Sequence, residues 1–396
     1  MSADPEVKTS ALDELDEACL GRKYTSGLRY AMLGGLRDNA VLVAIVVLFV
    51  AAAFVAEVLT GVPVAQRLRQ GSPVEVGSWA LRLTLIVLAV SISVFPFIRL
   101  TILLRARWGH SVESVPNLAE AWKAFALRPT GRRFFRILIA LLAFTLFFHV
   151  FVGLKGAIPL LNPFTWDEPF MRLDRALHFG HDPWRILHPL FGHPVATRML
   201  DFFYYVWFPV KLGVVLWFAW MADGPERRQF FLAFFLTWIL LGNVAALVFS
   251  SAGPCYYDLA TGGMGPYQEL MDYLHQVDAE YGLLAVEVQA RLLEGYSSTE
   301  IHTVEGIAAM PSLHVALPFL FALATARRSR IAAWAFTGFG LIILLGSVHL
   351  GWHYAVDGYA AILGVLGVWW VVGHLVAIIP EDWFSWETER DGSQPS

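Results

Sequence analysis

His349-Leu350-Gly351-Trp352-His353-Tyr354-Ala355-Val356-Asp357 lies between two apolar runs, Ile331 to Leu350 and Ala355 to Ile379. Both runs reach the roughly 20 residues a helix needs to cross a bilayer. A second passage, Met310-Pro311-Ser312-Leu313-His314, opens the apolar run before them. Together the two place three histidines, a serine and an aspartate where membrane helices meet water. Titratable groups are costly at membrane depth, so such a cluster marks a functional site.

The rest of the chain supports a membrane fold. Of its 396 residues 57% are hydrophobic and 16% charged, with mean hydropathy +0.55. A soluble domain carries roughly a quarter charged residues. The apolar residues come in continuous runs instead of alternating, which selects helices over a barrel. Eight runs qualify: Ala40 to Val62, Trp79 to Leu103, Phe134 to Leu154, Phe202 to Met221, Phe230 to Ser250, Pro311 to Ala326, Ile331 to Leu350 and Ala355 to Ile379. The expected fold is an all-α polytopic bundle of about eight transmembrane helices around a six-helix core.

Lys and Arg placement sets the expected orientation. The N-terminal segment carries Lys8, Arg22, Lys23, Arg29 and Arg37, the loop after the second run is basic, and Arg227-Arg228 and Arg327-Arg328 follow later runs. Residues 251–310 hold one basic residue, Arg291. Both termini are therefore expected in the cytoplasm, with the histidine-bearing ends on the extracytoplasmic face. The polar, acidic first 39 residues show no signal peptide. The expected organisation is a cytoplasmic tail (1–39), two peripheral helices with a basic loop (40–133), a core (134–379) and a C-terminal tail (380–396). Two long extracytoplasmic segments, 155–198 and 251–310, interrupt the core; loops of that length commonly form lids or binding elements. In the first, Phe170, Leu173, Ala176 and Leu177 recur at helical spacing and predict a short interfacial helix. In the second, Tyr267 to Leu293 is amphipathic and acidic. No basic stripe with interleaved aromatics is present, which argues against nucleic acid as partner.

The chemistry follows from spacing. Pro311 suits the first turn of a helix, and the free N–H groups of that turn, with the Ser312 hydroxyl, can seat a phosphate. His314, in the same turn, can donate a proton. His353 and Asp357 are four apart, so on a helix they share a face. The carboxylate can bond one ring nitrogen and make the other nucleophilic. A histidine so armed forms a covalent phospho-intermediate, while a second histidine serves as acid and then base. A rival reading has His349, His353 and Asp357 ligating zinc or iron on a continuous helix. It leaves Pro311-Ser312-Leu313-His314 unexplained, and no metal or organic cofactor is expected.

These residues resemble the type 2 phosphatidic acid phosphatase superfamily. Its Pro-Ser-Gly-His motif is similar to Pro311-Ser312-Leu313-His314. Its Ser-Arg, five residues, His, three residues, Asp motif is similar to Gly346-Ser347 through His353 and Asp357. The resemblance spans roughly Phe134 to Ile379. It implies a six-helix core with His353 as nucleophile, Asp357 as its orienter and His314 as acid and base. The family's first motif, Lys, six residues, Arg-Pro, is absent, and Gly346-Ser347 lacks the phosphate-gripping arginine. Lys155, Arg172 and Arg175 lie on the expected side and are candidates to replace it. His349, Tyr354 and Ser347 are candidates for supporting roles behind the catalytic groups.

A phosphomonoester carries nearly two negative charges at neutral pH and a phosphodiester one, so a site with fewer cations suits the diester better. Tyr354 after His353 matches the His-Tyr-x-x-Asp form of the branch containing inositol phosphorylceramide synthase and sphingomyelin synthase. The expectation is a lipid phosphotransferase moving an inositol-phosphate-like headgroup between membrane lipids. The alternatives are a phosphatase acting on phosphatidate or isoprenoid phosphates, and a non-catalytic lipid carrier.

Overall fold

The structure, a computed structural model, describes residues 31–61, 129–297 and 306–378. The second expected span, Trp79 to Leu103, lies outside the described residues, as do most of the N-terminal tail, much of the basic loop and the C-terminal tail. The described chain is helical, with no strand. It divides into two compact units. In the smaller, Arg132 and Arg136 both pair with the buried Asp38. The larger, Ala44–Gly77 with Leu146–Ser396, contains every candidate site residue.

Six helices are long and apolar enough to cross a membrane. These are α1 (Ala40–Thr60), α2 (Pro129–Leu161), α5 (Pro194–Trp220), α6 (Pro225–Ile239, extended to Val248 through a wider turn at Leu240–Ala245), α12 (Arg330–His349) and α13 (Ala355–Ile378). The protein is an integral membrane protein. The sixth expected span is the shorter α11 (Leu313–Thr325), whose 13 residues rise about 20 Å, less than the ~30 Å hydrocarbon core.

Two boundaries differ from the expectation in ways that matter. Helix α2 continues to Leu161, so Lys155 sits within a helix and not in a loop. Helix α5 starts at Pro194, with proline in the first turn, where its missing N–H costs nothing. The first intervening segment is therefore shorter than expected and folds as α3 (Asp167–Leu177) and α4 (Pro183–Phe191). The second contains α7 (Pro254–Tyr256, a tighter turn), α8 (Tyr257–Thr261), α9 (Gln268–Tyr281) and α10 (Leu284–Ser297). The expected amphipathic stretch is thus two helices, broken at Gly282 with φ +71°.

The predicted interfacial helix exists as α3, but with a different inner face. Asp167, Phe170, Met171 and Asp174 are buried, while Leu173 and Leu177 are 45% and 55% exposed. Two carboxylates point inward because distant backbone amides need acceptors there. Buried backbone polar groups outside regular structure must find partners. Asp167 accepts from the N–H groups of Ala252 and Gly253, at 2.9 Å each. Asp174 accepts from those of Ala355 and Val356, at 2.8 and 2.9 Å, at the start of α13.

The segment after α6 is tied at both edges. The Ser250 carbonyl accepts from Thr165 and Trp166, and that of Ser251 from Ala309. The Cys255 N–H donates to the Gly351 carbonyl at 2.9 Å. Gly253 has φ +95°, and a Cβ there would stand 2.6 Å from the Trp352 carbonyl oxygen. Only glycine lets this loop lie so close to the chain that carries His353.

Candidate active site

Helix α12 ends at His349, and Gly351 at φ +73° turns the chain before α13 begins at Ala355. His353 therefore lies in the connecting turn, not on a helix. Asp357, in the first turn of α13, reaches back to it across the helix N-terminus. His353 Nδ1 and Asp357 Oδ2 are 3.1 Å apart, and the same oxygen accepts from the Tyr354 N–H at 3.1 Å. A carboxylate accepting from Nδ1 puts the ring proton there and leaves the Nε2 lone pair free. The turn itself is held by the Ser347 carbonyl, which accepts from Trp352 and His353.

Both members of the pair are buried, and Asp357 fully so. Burial first, and then the charge of Lys155, hold the His353 imidazole well below the usual histidine range; the Ala309 carbonyl, a further polar neighbour of the ring, acts the other way. His353 is neutral at neutral pH, as a nucleophile must be.

The start of α11 adjoins this pair. The Ser312 N–H donates to the Asp357 carbonyl at 3.2 Å. Ser312 is the residue that caps α11, so Pro311 precedes the helix and does not open it. Its hydroxyl is buried, makes no capping bond and has no partner among the described residues; Asp357 Oδ1 is likewise unpaired. A buried polar group without a partner is the exception that asks for an explanation. An anion seated on this turn would supply one for Ser312.

His314 stacks on Tyr204 of α5, with centroids 4.4 Å apart and planes at 16°, and meets the Trp207 ring at 4.3 Å. Its electrostatic neighbours are His353, Lys155 and Lys211. The charge of Lys155 thus reaches both catalytic candidates. Arg172 and Arg175 are held elsewhere: Arg172 pairs with Glu168 on the exposed side of α3, and Arg175 binds both carboxylate oxygens of Asp182 at 2.7 and 3.1 Å.

The supporting candidates divide. Tyr354 donates its hydroxyl to Asp167 at 2.9 Å, which links the turn to α3. The Ser347 hydroxyl bonds back to the Leu344 carbonyl within its own helix, so its part in the turn is through its backbone. His349 bonds the Thr197 hydroxyl through Nε2 at 2.9 Å, and Thr197 in turn meets the Tyr273 hydroxyl. The continuous helix that a His349–His353–Asp357 metal set requires is not formed. Among the described residues no group of three His, Cys, Asp or Glu is placed to hold a metal.

Asp167, Asp174 and Lys211 are contributors that sequence reasoning did not find. The aspartates are seven apart with Phe170 and Met171 between them, the i, i+3, i+4, i+7 stripe of one helix face. Lys211 is the single charged residue of Phe202 to Met221, a signal by itself at membrane depth. Burial pushes the Asp174 carboxyl up to about 7, opposed by its two amide bonds and reinforced by Asp357 nearby.

A model of the PAP2 superfamily matches residues 168–371, just over half of the chain. The chain belongs to the PAP2 superfamily. The matched region of this PAP2 protein includes Asp174, Lys211, Ser312, His314, His353 and Asp357, and leaves Lys155 outside. No curated protein and no solved structure matches the chain. Members of the superfamily are usually phosphatases or phosphotransferases, and a membrane protein of this lipid-processing family fits lipid substrates.

Proposed function

We propose that this PAP2 protein is a lipid phosphotransferase that moves an inositol-phosphate-like headgroup from one membrane lipid to the hydroxyl of another, at the extracytoplasmic surface. The observation that carries the reading is the His353–Asp357 pair, with an unpaired hydroxyl at Ser312 and the Lys155 charge beside it. His353 Nε2 attacks phosphorus; the bond from phosphorus to the lipid oxygen breaks, and His314 gives that oxygen a proton. The phospho-headgroup is then held on His353. In the second half His314 takes the proton of the acceptor hydroxyl, whose oxygen displaces His353 from phosphorus. Asp357 keeps the ring in the right tautomer throughout, as a carboxylate does for a catalytic imidazole elsewhere. Ser312 and the first turn of α11 bind the non-bridging oxygens, an arrangement that stabilises charge as it develops.

The diester preference rests on the cations. Arg172 and Arg175 pair with carboxylates, and the charge of Lys155 acts on both histidines. A site that lacks the motif arginine matches a singly charged diester better than a dianionic monoester.

The test is a metal-free assay of the purified protein with headgroup-labelled phospholipids, with and without ceramide or diacylglycerol as acceptor. Acceptor-dependent transfer that disappears in His353→Ala is the expected result. Label released to water instead would make the protein a phosphatase, and turnover that survives His353→Ala would remove the proposed nucleophile.

A further inference from the structure

Lys211 has no role in the scheme above, yet its surroundings demand one. Tyr204, Trp207, Phe208 and Lys211 are spaced i, i+3, i+4, i+7 and share one face of α5. The Lys211 ammonium lies 4.4 Å from the Trp207 ring centroid and 5.2 Å from those of Phe208, Phe148 and Trp238. The Trp207 ring also meets that of His314, at 4.3 Å, and Phe208 lies against both His314 and Lys211. Helical side chains lean toward the helix N-terminus, which on α5 is the site end. Lys211 therefore reaches toward the histidines and not toward the far surface.

A lysine so placed normally has a carboxylate partner. Lys211 has none among the described residues; aromatic faces offset part of its desolvation. The charged and titratable groups acting on His314 are His353 from the turn before α13, Lys155 from α2 and Lys211 from α5, none of them a carboxylate. In a low-dielectric site a cation one indole away acts strongly on a protonated ring, by several-fold more than in water.

We propose that Lys211 is a positioning residue that acts through His314, its ammonium driving the imidazolium proton onto the departing lipid oxygen. The inference rests on the acid role given to His314 above. Lys211 itself is unchanged in the step: the phosphorus–oxygen bond breaks, the oxygen gains the His314 proton, and His314 becomes neutral.

Two donors that differ only in leaving group separate this role from others. One is the phospholipid, whose alcohol needs a proton to depart. The other is the nitrophenyl diester of the same phospho-headgroup, whose phenoxide does not. With full-length protein in detergent, Lys211→Met should lower kcat on the phospholipid by about tenfold or more while KM stays within about twofold. It should leave kcat on the nitrophenyl donor within about threefold. Lys211→Arg, which keeps the charge, should recover most of the loss. The melting temperature of Lys211→Met should not fall, since it removes a buried charge without a partner. Equal losses on both donors would overturn the inference and show a structural or phosphate-binding role, leaving the phosphotransfer reading intact. No loss on either donor would overturn it as well. Absence of any His353-dependent turnover in the wild type would instead overturn the phosphotransfer reading, and this inference with it.

Discussion

At His353 the deciding contact is the 3.1 Å bond from Nδ1 to Asp357, because in the proposed scheme it selects which nitrogen attacks. Asp357→Asn keeps the size of the side chain but can present an amide N–H to Nδ1 and favour the wrong tautomer. A comparable change in a catalytic triad costs about 10⁴ in kcat, so a loss of about 10³ or more is expected in steady-state assays. A loss below about tenfold would mean that Asp357 does not orient the ring. Asp174 gives a prediction of a different kind. Its carboxyl is at about 7 in the folded protein against 3.8 as an ordinary aspartate, so the folded state binds more protons between those values. Its contribution to stability is then fully present below about pH 4 and is lost as pH rises through 7. Melting temperatures in detergent from pH 4 to 8 should show this fall in the wild type and a flatter profile in Asp174→Asn. The sequence made His314, His353 and Asp357 stand out as candidates because each lies in a short local motif. It hid Asp167 and Asp174 because their partners are amides 85 and 181 residues away, which no local pattern can announce.

At the scale of elements, α3 acts as a brace. Through Asp167 and Asp174 it holds the loop after α6 and the N-terminus of α13, and these two flank the turn that carries His353. Asp167→Ala leaves two amides and the Tyr354 hydroxyl without an acceptor. At about 1–3 kcal/mol for each buried group left unpaired, chemical denaturation should show a loss on the order of 3 kcal/mol. Tyr354→Phe removes one bond and spares the other two, so it should cost about 1 kcal/mol. Gly253→Ala sets a Cβ against the Trp352 carbonyl in a backbone region that only glycine adopts freely. The turn must shift, and since a displacement of about 1 Å can cost about a hundredfold, kcat should fall by that order with the protein still folded. An unchanged kcat would show that the turn tolerates the displacement. The existence of α3 was legible from its periodicity, but its orientation was not. Leu173 and Leu177 suggested the buried side, whereas backbone groups elsewhere in the fold required carboxylates there. Helix ends were also misplaced: α2 runs on through Lys155 to Leu161, and α5 begins at Pro194, ahead of its apolar run.

At the scale of the whole molecule, hydropathy alone gave the class: an all-helical membrane protein, with six described helices able to span and a shorter seventh that carries His314. The bundle brings Lys155, His314 and the His353–Asp357 pair from three separate parts of the chain into one neighbourhood, which is how a chain with two recognisable motifs gathers the proposed site. The pattern of residues offered Lys155 together with Arg172 and Arg175 but not Lys211, which lies within a helix and outside any motif. The central claim is that the phospho-headgroup passes through His353. The most direct test exposes the purified protein to a donor labelled at phosphorus, without acceptor, quenches in mild alkali and maps the labelled peptide. The expected result is a phosphoramidate on His353, stable in alkali, lost in acid, discharged by added acceptor and absent from His353→Ala. Full turnover without label on His353, or label that persists in His353→Ala, would contradict the account.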